Sequence, residues 1–474
     1  MSNYRWTMVA MLFFATTINY LDRQVLSLTW ADFIAPEFHW TNNDYGTITG
    51  LFSIFYAVSM LFAGKFIDWM DTKKGFLWAI GVWSAGAVIH ALCGIATAGI
   101  VAGDWTLSFS SARETIAATS DISKIVTVSV SLFIFSRFVL AVGEAGNFPA
   151  AIKATAEYFP KKDRAFATSI FNSGAQIGAL LAPVSIPFIA KAWGWEMAFI
   201  VIGALGFIWM GFWVFMYEKP EVHKKVNKLE LAYIHQDDAV EDVENKAVEN
   251  LPKKSMSFGR AFRYKQTWAF AVGKFMTDGV WWFYLFWAPA YLKQVYGLSA
   301  TESAPHIFIL YLITMISIAG GYLPTFFVDK KKMEPYAGRM RAMLIFAFFP
   351  LLALFAQPLG HISVWIPVVI IGIAAAAHQA WSANLFSTIG DMFPKYAVAT
   401  ITGIGGMAGG VGSFLINKGS GALFDFSEKV NMKLFGFQGI ESGYFIIFCI
   451  CAVAYLVGWI IMKTLVPVHK AIED

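Results

Sequence analysis

Long apolar stretches, each close to twenty residues, recur along the chain and are separated by short polar segments. An α-helix needs about 20 predominantly apolar residues to cross the hydrocarbon core of a bilayer. By that measure the pattern predicts twelve transmembrane helices, six on each side of a charged stretch. The predicted spans are 7–33, 46–67, 75–98, 126–152, 166–190, 196–217, 266–292, 304–327, 341–357, 363–389, 398–420 and 441–463.

Composition agrees with this pattern. Of the 474 residues, 57% are hydrophobic and 14% are charged, about half the charged share of ordinary soluble proteins. The net charge of +4 is too small to indicate a nucleic-acid partner. The cysteines lie in apolar stretches and predict neither disulfides nor a metal site. No nucleophile and base cluster together, so we predict an all-α membrane protein that is not an enzyme and needs no cofactor.

The charged stretch divides the chain into a six-helix bundle at 1–217, a cytoplasmic linker at 218–265 and a second six-helix bundle at 266–474. Lys and Arg collect in the linker and after even-numbered spans, as at Lys73 and Lys74. Cytoplasmic loops of membrane proteins carry an excess of these residues. We therefore predict a multi-pass protein of the inner membrane with both termini in the cytoplasm.

A short motif repeats at matched places in the two predicted bundles. The sequence EYFP at 157–160 follows span four, and DMFP at 391–394 follows span ten. An Ala-Thr pair and spaced glycines come after both. Weak internal symmetry is typical of transporters, whose substrate sites lie between the repeats near the bilayer midplane. The sequence thus predicts two pseudo-symmetric bundles around a central site.

Four charged residues interrupt the first and fourth spans. Asp22 and Arg23 are adjacent, and Arg137 and Glu144 share one helical face at a spacing of seven. Each buried charge costs several kcal/mol, so each needs a partner or a function. We interpret Asp22 or Glu144, beside Arg137, as a proton carrier, and Arg23 as the ligand of an anion. The alternative is a static ion pair that joins helices one and four.

Uncharged polar residues in other spans complete a predicted pocket. The first half offers tyrosine hydroxyls and a glutamine amide. The tenth span contains HQAWSAN at 378–384, which combines hydrogen-bonding groups with the flat face of a tryptophan, a combination that suits a sugar. The predicted pocket residues are Tyr20, Tyr56, Gln176, Trp381, Ser382 and Asn384.

Three further polar residues remain open to two interpretations. Lys274 and Asp278 in span seven are four residues apart and therefore neutralise one another or contribute to the site. His378 is either a proton carrier or a hydrogen-bonding partner between helices.

Three motifs carry a resemblance to a known family. They are NYLDR at 19–23, GEAGNFP at 143–149 and GKFIDWMDTKKG at 64–75. The chain resembles the major facilitator superfamily, and within it the anion:cation symporter branch, most closely the bacterial hexuronate transporters of glucuronate and galacturonate. The third motif departs from the family pattern at Trp69, where Arg is usual, and at Asp71, where Gly is usual.

The resemblance implies a role for each site residue. Asp22 and Glu144 are the expected protonation sites, and Arg137 is the arginine that couples them to the substrate. Asp68, with Lys73 in the same motif, is expected to latch the two halves together on the cytoplasmic side. The expected substrate contacts are Arg23, Tyr20, Tyr56, Gln176, Trp381 and Ser382.

Our hypothesis is proton-coupled import of a sugar-acid anion by alternating access, carried out by a monomer in the lipid bilayer. Galactonate or glucarate are alternative substrates, and Na⁺ is an alternative ion because Asn19, Asp22 and Asn147 supply oxygen ligands. A transporter-like nutrient sensor is the rival from another class. The polar connection at 99–125 is unusually long, and we expect an exposed loop or small helix there.

Overall fold

The computed structural model describes residues 2–236, 256–320, 322–394, 397–468 and 472, and most of them are helical. A π-helical segment, Trp30–Ile34, follows the first helix. Within the predicted linker at 218–265, residues 237–255 lie outside the described residues. The helices of the first half are α1 (Arg5–Thr29), α2 (Ala35–Phe38), α3 (Asn42–Met70), α4 (Thr72–Ala102), α5 (Phe109–Ala118), α6 (Ile122–Glu144), α7 (Asn147–Tyr158), α8 (Lys161–Trp193), α9 (Trp195–Met216) and α10 (Lys228–Ile234).

The second half also consists mainly of helices. A 3₁₀-helix, Phe349–Phe355, lies between the helices Pro335–Phe348 and Ala356–Gly360. A two-stranded hairpin of β1 (Lys433–Leu434) and β2 (Phe437–Gln438) precedes the last helix and was not predicted. The helices are α11 (Phe258–Ala261), α12 (Lys265–Tyr296), α13 (Ala300–Thr314), α14 (Ser317–Gly320), α15 (Tyr322–Asp329), α16 (Pro335–Phe348), α17 (Ala356–Gly360), α18 (Trp365–Met392), α19 (Val398–Lys429) and α20 (Ile440–Leu465).

Eight helical segments within the described residues are long and apolar enough to cross a membrane. They cover the predicted spans two to six, nine, ten and twelve. The other four spans are helical too, and span eight is broken into α13, α14 and α15. The predicted total of twelve crossings and the predicted bundle boundaries therefore stay predictions.

Local sequence signals explain where several helices begin. Thr41 and Asp44 form a capping box at the start of α3, in which each side chain accepts a hydrogen bond from the other residue's backbone N–H. Asp71, before α4, has a φ of +67°, in the left-handed region that favours glycine. Its carboxylate accepts a hydrogen bond from the Thr72 N–H at 2.9 Å, which helps an aspartate occupy this position.

The helix ends form two faces, which we name by their contents. The terminus face holds the first and last described residues, α10, and the junctions after α3, α7, α15 and α18. The opposite face holds α2, α5 and the β-hairpin. Between the halves, α3 packs against α19 and α8 against α13, while α1 lies beside α12. The central site is built where α1 meets α12.

The N-terminal residues are fastened to the start of the predicted linker. Glu230, on α10, accepts hydrogen bonds from the backbone N–H groups of Tyr4 and Arg5 and from the Arg5 guanidinium, at 3.0–3.2 Å. The Tyr4 hydroxyl donates to the Met216 carbonyl at 2.7 Å. The linker therefore begins as a strap packed on the terminus face of the first half.

The long connection at 99–125 folds as the small helix that was expected. Residues 99–102 extend α4, and α5 occupies the middle of the segment. Arg113 on α5 donates two hydrogen bonds to Glu196 at 3.0 and 3.1 Å and lies 3.8 Å from the carboxylate of Glu37. These ion pairs fasten α5 to α9 and α2 on the opposite face.

Candidate functional site

The centre of the molecule is a cluster of buried charges carried by α1 and α6. Helical spacing places Asn19 and Asp22 on one face of α1 with Arg23 beside them, while α6 contributes Arg137 and Glu144. All five side chains are almost completely buried. The structure thus brings together the four intramembrane charges predicted from the sequence.

Glu144 pairs with Arg23 rather than with Arg137. The Arg23 Nε lies 2.9 Å from Glu144 Oε2, and Nη2 lies 2.7 Å from the same oxygen. The seven-residue spacing of Arg137 and Glu144 suggested a different pairing within one helix. The guanidinium of Arg23, which α1 carries, takes the carboxylate instead. This ion pair joins helices one and four, as the alternative interpretation required.

Aromatic rings surround the Arg23 guanidinium. Its central carbon lies 5.0 Å from the Tyr20 ring centroid, 4.7 Å from Tyr56 and 5.2 Å from Trp282. Tyr20 and Tyr56 were predicted for the pocket. Trp282 was not, although it stands in an aromatic run of span seven. It comes from the second half, so both halves contribute to the wall around Arg23.

Several polar groups in this cluster lack a hydrogen-bond partner among the described residues. They include all three guanidinium nitrogens of Arg137, both carboxylate oxygens of Asp22, the Asn19 amide and Oε1 of Glu144. A buried unsatisfied polar group costs about 1–3 kcal/mol, and a charged one costs more. The unpaired groups therefore point to a polar ligand or water that completes the cluster.

Asn147 extends the cluster along α1. Its amide nitrogen donates to the Thr16 hydroxyl at 3.4 Å, and its carbonyl oxygen has no partner in the described part of the chain. Together with Asn19 and Asp22 it supplies uncharged and anionic oxygens on facing helices. These are the oxygens named for the Na⁺ alternative.

The predicted pocket residues of α8 and α18 have no hydrogen bond to the central cluster within the described residues. Gln176 and Ser382 are half-buried. Trp381 is fully buried and packs edge-on against Tyr455, with ring centroids 5.6 Å apart. The Asn384 side chain donates to the Ala380 carbonyl of its own helix at 2.8 Å. Their role in a pocket stays a prediction.

A second polar cluster lies within the second half. Lys274 Nζ and Asp278 Oδ2 are 2.6 Å apart on α12. The His378 Nδ1 and the Tyr455 hydroxyl share a hydrogen bond of 2.8 Å, and the His378 ring stacks on Trp281 at 5.5 Å. His378 therefore has an interhelical partner, whereas Lys274 and Asp278 satisfy one another.

Comparison with known proteins places this geometry in a family. The family model described as "Major Facilitator Superfamily" matches residues 12–417. The chain belongs to this superfamily. It is a secondary membrane transporter with several membrane-spanning helices, and not an enzyme.

Similar proteins of the superfamily include transporters of sugar acids. The "Hexuronate transporter" of Escherichia coli K12 is 28% identical over 99% of this chain and 95% of its own. The "Galacturonate transporter" of Dickeya chrysanthemi is 27% identical, covering 71% of this chain and 86% of its own. A bacterial Spinster homologue in an inward-facing, unoccupied conformation shares the fold, with a TM-score of 0.68, 18% identity and 98% of each chain covered.

The contacts between the halves concentrate on the opposite face. Asp32, in the π-helical segment, lies 2.8 Å from Lys293. Asp425 of α19 accepts hydrogen bonds from the backbone N–H groups of Asn42 and Asn43 at 3.0 and 2.7 Å. These residues were not predicted, because each resembles an ordinary polar group at a helix end. They close the opposite face.

On the terminus face, Asp68 and Lys73 of the superfamily motif have their described polar contacts within the first half. Asp68 forms an ion pair with Lys153 at 3.1 Å, and its side chain is exposed. Lys73 accepts a hydrogen bond at its carbonyl from the Trp213 indole at 3.3 Å. Within the described residues no latch joins Asp68 to the second half, and the gating role of both residues stays a prediction.

Proposed function

We propose that this transporter imports a monoanionic sugar acid of the hexuronate type together with protons, by alternating access of the central cluster. The similar proteins named for hexuronate and galacturonate support the substrate class. The distribution of Lys and Arg supports a cytoplasmic terminus face in the inner membrane. On this proposal the protein acts as a monomer.

The observation that carries the proposal is that only some of the buried charges in the central cluster are paired. Two arginines and two carboxylates are buried together, yet only Arg23 and Glu144 form an ion pair. A guanidinium stays charged and presents a planar fork that matches a carboxylate. The unpaired Arg137 therefore suits the carboxylate of a substrate, and the hydroxyls of a sugar suit the unpaired oxygens of Asp22 and Asn19.

In this proposal, proton uptake breaks the Arg23–Glu144 ion pair. When Glu144 takes up a proton, its carboxyl becomes neutral and its ionic attraction for Arg23 is lost. Arg23 then joins Arg137 in binding the anion, while protonation of Asp22 removes a competing negative charge. On the cytoplasmic side, loss of the protons restores the ion pair and displaces the substrate.

The contacts on the two faces support one conformational state of the transport cycle for this structure. The opposite face is closed by Asp32–Lys293 and by the hydrogen bonds of Asp425, whereas Asp68 has no ion pair with the second half among the described residues. With the terminus face in the cytoplasm, this arrangement corresponds to an inward-facing protein. The formed Arg23–Glu144 pair corresponds to the state after release of protons and substrate.

Purified full-length protein in liposomes tests the coupling. We expect accumulation of radiolabelled D-glucuronate under an inward proton gradient. Glu144→Gln should abolish accumulation but preserve exchange of internal for external glucuronate, because a neutral side chain mimics the protonated state. Glu157→Gln, on α7 beside Tyr217, is the matched control and should behave as the wild type. Unchanged proton-driven accumulation in Glu144→Gln would overturn the assignment.

Sodium coupling is the alternative that a specific observation favours, since Asn19, Asp22 and Asn147 present unpaired oxygens. The same liposomes at equal internal and external pH, with an inward Na⁺ gradient, separate the two ions. Uptake driven by Na⁺ alone would replace the proton in this proposal. A thermal-shift screen with glucuronate, galacturonate, galactonate and glucarate identifies the substrate, and binding without flux under either gradient would favour a sensor.

A further inference from the structure

A second buried ion pair lies outside the central cluster and has no part in the cycle described above. Lys274 and Asp278 are one helical turn apart on α12, with 8% and 15% of their side chains exposed. Burying two charges is expensive, and replacing such a pair by apolar residues is often neutral or stabilising. The stability of the fold alone therefore does not explain the pair.

The pair occupies the same face of α12 as the tryptophan beside Arg23. Lys274, Asp278, Trp281 and Trp282 follow the i, i+4, i+7, i+8 spacing of one helical face. Asp278, Trp281 and Trp282 are each half-buried. Because Trp282 contacts Arg23, this face of α12 leads from the central cluster towards the terminus face.

Distance separates the pair from the central site. Lys274 lies eight positions before Trp282, but its ammonium is held at Asp278, which lies four positions or about 6 Å along the helix axis before Trp282. A six-carbon sugar acid is at most roughly 8 Å long, since it contains five carbon–carbon bonds of about 1.5 Å. The substrate is long enough to reach from Trp282 to the pair, but its single carboxylate occupies one of the two levels at a time. A ligand of Lys274 would occupy a separate position on the way to the terminus face.

Neighbouring helices confine the pair without neutralising it. Lys274 Nζ lies 4.5 Å from the centroid of the Phe386 ring on α18. The Asp278 carboxylate lies against Gly409 of α19, where any larger residue would collide with it. The titratable groups that face the pair are His378 on α18, near Lys274, and Tyr455 on α20, near Asp278. These two are hydrogen-bonded to one another.

We propose that Lys274 and Asp278 form a second, transient binding site for the carboxylate of the transported anion, and that the pair takes up one proton together with that anion. This inference rests on the proposed function. The proton adds to the Asp278 carboxylate, whose ionic contact with Lys274 breaks. The Lys274 ammonium then pairs with the substrate carboxylate. The site carries no net charge before or after loading, so no uncompensated charge is buried.

The chemistry repeats that of the central cluster at a position nearer to the cytoplasm. In both sites a carboxylate holds a cation until a proton neutralises it and an anion replaces it. Lysine offers a point charge with rotatable donors, whereas arginine binds a carboxylate through a rigid fork. The second site should therefore bind more weakly than the first, as release of the substrate requires.

Equilibrium dialysis of radiolabelled D-glucuronate against the full-length protein tests the second site directly. Replacing the four charged residues of the central cluster together, as Arg23→Gln, Arg137→Gln, Asp22→Asn and Glu144→Gln, disables the central site and leaves no charge in it. We expect this quadruple variant to retain binding at least about tenfold weaker than that of the wild type. That residual binding should strengthen by up to about tenfold per unit decrease in pH, because one proton binds with each anion.

Adding Lys274→Gln with Asp278→Asn should abolish the residual binding. The matched control adds Lys265→Gln instead, the same substitution at the start of the same helix, and should leave the residual binding intact. Residual binding that survives the loss of Lys274 and Asp278, or that is absent before it, overturns the second site. If the wild type binds none of the sugar acids tested, the proposed function itself fails.

Flux measurements supply a second readout. In an otherwise wild-type protein, Lys274→Gln with Asp278→Asn should lower the maximal rate of D-glucuronate uptake about tenfold while changing its equilibrium affinity less than about twofold. Lys274→Arg should recover most of the rate. An equal loss of affinity and rate, or no rescue by arginine, would assign the pair to structure instead.

Discussion

The two polar clusters of this transporter differ in how completely their hydrogen bonds are satisfied. In the first half, Arg137, Asp22 and Asn19 are buried without partners among the described residues. In the second half, Lys274 holds Asp278, and His378 shares a hydrogen bond with Tyr455. The first cluster is incomplete as folded, whereas the second is complete.

This difference separates the unpaired charges, which cost stability, from the hydrogen bond between His378 and Tyr455, which provides it. An unpaired buried charge lowers stability and is retained where a ligand needs it. A paired group contributes to packing even when no ligand is bound. We therefore expect substitutions in the first cluster to lower transport more than stability. Substitutions of His378 or Tyr455 should do the reverse.

The largest effect is expected for Arg137→Gln. Removal of a guanidinium that pairs with a substrate carboxylate should lower glucuronate uptake by about 100-fold or more. Thermal stability should stay the same or rise, since a buried charge without a partner is removed. The exposed Arg341→Gln serves as the control. A strongly destabilised Arg137→Gln protein would show that this arginine supports the fold and would break the comparison.

The next largest effects are expected for the two adjacent tryptophans of α12, because each lies beside a different polar cluster. Trp282→Ala removes a ring 5.2 Å from the Arg23 guanidinium and should weaken apparent affinity by about 5- to 30-fold. Trp281→Ala removes the ring stacked on His378 and should mainly lower the midpoint of thermal denaturation. Paired uptake and denaturation curves check both, and identical behaviour of the two variants would contradict the distinction.

A smaller effect is expected from two tyrosine hydroxyls. Tyr455→Phe leaves His378 Nδ1 without its partner and should cost about 1–3 kcal/mol of stability while uptake stays within about twofold. Tyr20→Phe, beside Arg23, should lower uptake several-fold with stability unchanged. The comparison fails if the two variants exchange these phenotypes.

The smallest effect is expected for Glu37 on the opposite face. Only one of its carboxylate oxygens accepts a hydrogen bond among the described residues. Trp195 donates to its Oε2 at 2.7 Å, while Oε1 has no partner among the described residues. Burial raises the pKa of Glu37 to about 7, against the opposing effects of the Trp195 hydrogen bond and Arg113. The folded protein therefore favours the protonated carboxyl over a pH range in which the unfolded chain is already ionised.

The sign of the pH dependence follows from this raised pKa. The stabilising contribution of protonated Glu37 is complete below the ordinary carboxyl range and is lost as pH rises towards about 7. Glu37→Gln should match the wild type in acid and exceed its thermal stability near pH 8. Glu114→Gln, an exposed glutamate on α5, is the control. Parallel stability profiles for wild type and Glu37→Gln would contradict the prediction.

The sequence was informative where physical chemistry leaves few choices. A charge inside an apolar span is costly, so Asp22, Arg23, Arg137 and Glu144 stood out and do meet at the centre. Which arginine binds Glu144 depends on where α1 places Arg23 relative to α6, and spacing along a single helix does not determine that placement.

Aromatic residues and helix-end polar residues were harder to assign. Trp282 stands beside Trp281, and both residues suit packing, the membrane interface or a pocket equally well. Asp32 and Asp425 read as solvated helix ends, yet each contacts the other half of the molecule. Their roles depend on how the halves approach one another, which no local pattern in the sequence encodes.

The strap at Glu230 has a consequence for the order in which the protein is made. Its hydrogen bond joins Arg5 to a residue 225 positions later. At a synthesis rate of about 5–20 residues per second, the start of the chain waits roughly 11–45 s for this partner. The helices α1 to α9 all precede Glu230 in the chain, and α12 follows it. Synthesis thus reaches the residue that fastens the N-terminal segment before the helices of the second half begin to insert.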